Sequence, residues 1–79
     1  MSRPISVIAK EIAREWSPVN FAAKPYLIAM LALDTLRDTY GAEDARSIVL
    51  YFLSNASTWR GPKAREIKAE LNKLLKGAV

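Results

Sequence analysis

The sequence predicts an all-α fold, a compact bundle of four short helices forming a single domain over residues 1–79. Three observations carry that expectation. Proline and glycine divide the chain into four segments, and apolar residues in each recur at three- and four-residue spacing instead of alternating. Two unbroken apolar runs, Tyr26 to Leu33 and Ile48 to Leu53, supply a centre. The counts Cys 0 and His 0 exclude disulfides and the common zinc sites. A core of this size seldom provides more than roughly 3–5 kcal/mol without such a staple, so good helix packing or a partner subunit remains.

In the first helix, Ser2 is the expected cap and Pro4 is tolerated in the opening turn, where the first N–H groups have no intrahelical partner. Ile5, Ile8, Ile12 and Trp16 fall on one face, and Lys10, Glu11, Arg14 and Glu15 on the other. Ser17 and Pro18 end this helix. Val19 to Lys24 is then a connector, with Asn20 capping a short turn and Phe21 as the buried anchor.

Pro25 suits the first turn of a second helix, which is expected to run to about Tyr40 and stop at Gly41. Its first half, Tyr26 to Leu33, is apolar all round and belongs at the centre of the bundle. Tyr26, Met30, Leu33 and Tyr40 form one stripe, read as core. The third helix follows within a residue or two, because Glu43 and Asp44 place negative charge where a helix N-terminus favours it. Plotted at 100° per residue, Ala45, Ile48, Val49, Phe52, Leu53 and Ala56 share its core face. Leu50 and Tyr51 do not. A polar stretch from Ser54 leads to Gly61 and Pro62, and a fourth helix ends near Lys76 with Ala64, Ile67, Leu71, Leu74 and Leu75 as its apolar stripe.

The hydrophobic share is 51% and the charged share 25%, which is the composition of a folded globular chain. Twelve Lys and Arg against eight Asp and Glu leave a net charge of +4, which admits anionic partners without requiring them. The charges within Met1 to Trp16 do not suit a secretory signal. The longest apolar run, Tyr26 to Leu33, is far short of the roughly 20 residues of a membrane-spanning helix. A soluble, intracellular protein with no membrane partner is expected.

Two surfaces are candidates for function. Ser47, Leu50, Tyr51 and Ser54 repeat at i, i+3, i+4 and i+7, the spacing of residues that meet one partner surface. Enclosure of the third helix on both sides by its own neighbours is the competing explanation. The second candidate is the basic segment after Trp59, with Arg60, Lys63, Arg65 and Lys68, where cations beside an aromatic and a helix N-terminus can hold phosphates. Glu66 and Glu70 dilute its field, and a solvated basic face is the simpler explanation. No helix carries the Asn, Gln and Arg cluster that reads bases, so nucleic-acid binding here would be sequence-indifferent and salt-sensitive.

Asp34 and Asp38, one helical turn apart, resemble an acid/base pair, but such pairs work only when burial or a neighbour drives their proton affinities apart. With Arg37 beside them, a solvated face is the simpler reading. A serine triad would lack its histidine, and the single glycines make no phosphate loop. No enzymatic activity, cofactor or metal is expected. Trp16 and Trp59 are read as closing the core at its edges.

The string Trp16-Ser17-Pro18-Val19-Asn20-Phe21, the run Ala45 to Ala56, and Trp59-Arg60-Gly61 resemble small proteins of unassigned function encoded by tailed phages of actinobacteria. The similarity covers about Trp16 to Leu75 and includes no mechanistic motif. It implies synthesis in the cytoplasm of an infected bacterium and a role in the phage programme. Taken with the residue pattern, the expected function is a non-enzymatic interaction module that binds a second copy of itself or a host protein. A sequence-indifferent nucleic-acid accessory protein is the alternative.

Overall fold

Helix α1 spans Ile5–Glu15 and buries Ile5, Ile8, Ala9 and Ile12. A computed structural model describes residues 3–77, so the expected cap at Ser2 lies outside the described residues. Two of the free N–H groups at the start of α1 are satisfied from elsewhere in the chain. The backbone N–H of Ile5 donates to the Asp34 carbonyl at 2.9 Å, and that of Ser6 to the Leu33 carbonyl at 2.7 Å. Orphan donors at a helix start need such partners when no side chain supplies them.

Those two bonds help to explain the largest departure from the sequence expectation. Helix α2 spans only Lys24–Met30 and does not continue to Tyr40. The carbonyls of Leu33 and Asp34 face α1 instead of a following turn of helix. Asp38 reinforces the break, since its Oδ2 accepts from the backbone N–H groups of Asp34 at 2.8 Å and Thr35 at 3.0 Å. Asp side chains compete with helix in this way. The chain then forms a small antiparallel hairpin from β1, Thr39–Tyr40, and β2, Glu43–Asp44, with Thr39 opposite Asp44 and Tyr40 opposite Glu43. Gly41 does adopt the left-handed conformation, with φ 64°, but in this hairpin turn and not as a helix stop.

Among the described residues the fold is therefore predominantly helical, with four helices and a two-stranded sheet, not purely all-α. Leu31 to Asp44 separate α2 from α3, so the expected tight connection is absent. Even so, α2 packs chiefly against α3, and α1 bridges α2 and α4. Helix α3 spans Ala45–Ser54 and α4 spans Pro62–Gly77. All four helices feed one core, with Ile8, Ile12, Met30, Leu33, Val49, Phe52, Ile67 and Leu71 buried.

Trp16 and Trp59 close one edge of that core. Their rings stack with centroids 5.4 Å apart and planes 9° apart, and Trp16 meets Phe52 edge-on at 6.2 Å. Ion pairs close another edge. The Arg3 guanidinium bonds both oxygens of Glu70 and pairs with Glu11 at 2.8 Å, while Lys63 joins Glu11 at 3.2 Å and Glu66 at 3.1 Å. This chain of charges ties α1 to α4.

Two expected core positions face outward. Phe21, read as an anchor, is 87% exposed, because the Asn20 turn carries it outside and buries Ala23 in its place. The Asn20 side chain does cap that turn, accepting from the Ala22 N–H at 2.8 Å. The stripe of Tyr26, Met30, Leu33 and Tyr40 is divided: Met30 and Leu33 are buried, Tyr26 is half-buried, and Tyr40 is exposed on the hairpin.

Candidate interaction surface

The local sequence fixes where α3 starts. The Asp44 carboxylate accepts from the Ser47 N–H at 2.7 Å, and this bond holds its pKa below the ordinary carboxylate value, with a further contribution from the Ser47 hydroxyl. From that start, the helical period buries Ala45, Ile48, Val49, Phe52 and Ala56, with Leu53 packed half-buried against them. The core face read from the sequence is the observed one.

The remaining large side chains stay in solvent. Leu50 is 48% exposed and Tyr51 is 50% exposed. They lie one residue apart, hence about 100° apart around the helix axis, on either flank of its outer side. Tyr51 leans toward α2, where its ring meets that of Tyr26 at 5.5 Å with a 37° tilt. Leu50 follows Arg46 by one turn, and Arg46 reaches α4 by donating to the Leu75 carbonyl at 3.0 Å.

The two serines contribute differently from their neighbours. Ser54 is exposed and its hydroxyl donates to the Leu50 carbonyl at 3.0 Å, while Ser47 is half-buried and serves the Asp44 cap. Ser54 is thus engaged through its hydroxyl and Ser47 through its backbone N–H, and the apolar material of the outer side comes from Leu50 and Tyr51. Asn55 closes the helix by donating to the Tyr51 carbonyl at 2.8 Å.

The structure adds residues that the sequence pattern did not single out. Ile28 on α2 is 50% exposed and Leu31, the residue that follows α2, is 39% exposed, so the run Tyr26 to Leu33 is not enclosed throughout. Their three-residue spacing was visible, but an apolar run on all sides of a helix gives no sign of which side is left open. Here α2 ends early and leaves that side uncovered.

The basic segment is only partly available. Lys63 is committed to Glu66 and Glu11, first Glu66 and then Glu11 raising its pKa. Lys68 donates to the Trp59 carbonyl at 2.6 Å, and its pKa is lowered by burial and then by the nearby charge of Arg60. Arg60 and Arg65 are exposed and form no ion pair among the described residues. Four cations close in sequence therefore reduce to two that face solvent without such duties.

Asp34 and Asp38 are not on a helix. Asp34 accepts from the Ser6 hydroxyl at 3.3 Å, and the Asp38 pKa is lowered by the backbone N–H groups of Thr35 and then Asp34. Both carboxylates are bound into the connection that ends α2. No group of three or more potential metal ligands is found among the described residues, and no helix there is long and apolar enough to cross a membrane.

Comparison with family models, with curated proteins and with solved structures finds no match to this chain.

Proposed function

We propose that the protein is a non-enzymatic interaction module that buries the outer side of α3 against a second copy of itself or against a host bacterial protein. One observation supports the reading above all. In the run Ile48 to Leu53, Ile48, Val49, Phe52 and part of Leu53 are spent on the core, while Leu50 and Tyr51 keep about half their surface in water. Burying that remainder is worth on the order of 1 kcal/mol for each side chain, and a two-fold contact between copies counts each twice. Ile28 and Leu31 extend the apolar surface that this small protein leaves open.

The resemblance to small proteins of actinobacterial phages gives the contact a setting. Binding to a host protein in the infected cytoplasm would redirect or inhibit that protein. The nucleic-acid reading keeps one supporting observation, the exposure of Arg60 and Arg65 without an ion pair among the described residues.

Mass measurement on wild type and Leu50→Glu, with a pull-down from bacterial lysate before and after nuclease, tests the proposal. An oligomer or a nuclease-resistant partner lost in Leu50→Glu agrees with it. Loss of every partner after nuclease, with a monomeric wild type, favours the accessory protein. In that case Arg60→Glu with Arg65→Glu is the appropriate variant, because reversing Lys63 would also break its pair with Glu11.

A further inference from the structure

Away from Leu50 and Tyr51, the start of α3 and the end of α4 frame a groove of about 620 Å³, completed by the segment before α1 and the turn after α2. Among the described residues four cations line it, Arg3, Arg37, Arg46 and Lys73, against the one side-chain carboxylate of Asp34. Their situations differ. Arg3 is neutralised by Glu70 and Glu11, and Arg46 is held at the wall by its bond to the Leu75 carbonyl. Arg37 and Lys73 are exposed, and neither side chain has a hydrogen-bond or ion-pair partner among the described residues. Beside these charges, Leu36 and Leu74 give the groove apolar, half-buried walls.

We propose that this groove binds an acidic peptide segment of a partner protein, with carboxylates on Arg37 and Lys73 and an apolar side chain against Leu36 and Leu74. The guanidinium fork matches a carboxylate in shape as well as charge. Carbonyls at the end of α4 would oppose an anion, but Arg46 already engages the one on Leu75. The volume lies within the roughly 300–1,000 Å³ typical of ligand sites, which suits a few side chains better than a duplex. Single-stranded nucleic-acid sites interleave cations with aromatic rings on which bases stack. None of the described residues lining this groove is aromatic. The site is separate from the outer side of α3 and does not depend on it.

Calorimetric titration of the full chain tests the assignment, using a short synthetic peptide of glutamate and leucine, the same peptide with glutamine for glutamate, and a single-stranded oligothymidylate. The glutamate peptide is expected to bind, to weaken as salt rises, and to weaken about tenfold or more in the double variant Arg37→Glu, Lys73→Glu. Equal binding of the glutamine peptide, unchanged binding in the double variant, or no binding of the acidic peptide would each overturn it. So would tighter binding of the oligonucleotide through Arg37 and Lys73. If the double variant does not fold by circular dichroism, the salt series on the unaltered protein decides, and salt-independent binding refutes the proposal.

Discussion

Tyr51 of α3 lies against Tyr26 of α2, ring centroids 5.5 Å apart, while half of its surface remains in solvent. One side of the ring is therefore held by the fold, and the other is presented outward. An aromatic side chain held in this way loses less rotamer freedom on contact than an unsupported one. Its removal should reveal the same division. Tyr51→Ala is expected to cost about 1 kcal/mol in urea denaturation, since it forfeits one aromatic pair and part of its burial but opens no core cavity. A cost near that of a core truncation would mean that Tyr51 is chiefly structural.

Trp59 should behave in the opposite manner. It is 5% exposed, stacks on Trp16 and carries the carbonyl that accepts from Lys68. Trp59→Ala is expected to cost about 3–5 kcal/mol, as buried aromatic truncations do. That approaches the whole stability available to a core of this size. Circular dichroism without denaturant should show extensive loss of helix in this variant, and a smaller loss in Trp16→Ala.

Acid should weaken the tie between α1 and α4. Glu11 lies between Arg3 and Lys63, and its pKa is lowered by Arg3 first and Lys63 second. Glu66 and Glu70 face the same two cations from α4. A carboxyl lowered in the folded state contributes stability that is present above its ordinary value of 4.5 and is lost as pH falls through the lower folded value. Glu11→Gln should therefore be less stable than wild type at neutral pH and show a flatter decline into acid. Thermal melting across that range checks the sign, and parallel pH curves for the two proteins would contradict it.

Much of α1, α3 and α4 is legible in the sequence because each has one apolar face and clear boundaries. Ile5, Ile8 and Ile12, then Ile48, Val49 and Phe52, then Ile67 and Leu71, are buried at helical spacing. The region after Met30 is not legible in this way. Its residues could continue the helix, and beside the local bonds to Asp38 what opposes this is long-range: the carbonyls of Leu33 and Asp34 bind the start of α1. Gly41 signals a left-handed residue from sequence alone, but a helix stop and a hairpin turn demand the same glycine. At the candidate surface, the outward direction of Leu50 follows from period alone. The Tyr26–Tyr51 contact and the separate cationic groove arise from tertiary packing, which a linear pattern does not contain.

The hairpin offers a direct check on that revision. Gly41 has φ 64° and nothing within 4 Å of the place a Cβ would occupy. Replacement by alanine should therefore cost only the backbone strain of a left-handed residue, about 1–2 kcal/mol. Gly41→Asn should cost less, because asparagine tolerates that conformation better. Urea denaturation of the two variants gives the comparison, and equal stability of Gly41→Ala and wild type would speak against the turn.

The claim that the outer side of α3 is a working contact is tested most directly by cross-linking in the cell. A photoreactive benzophenone side chain placed at Tyr51, expressed in an actinobacterial host and irradiated, reports what covers that position. The same group at Lys10, exposed on α1, is the control. A discrete adduct is expected from position 51, of the mass of a dimer or of one host protein, that survives nuclease and disappears when Leu50→Glu is added. Adducts of equal yield at position 10, or none from position 51, would contradict it.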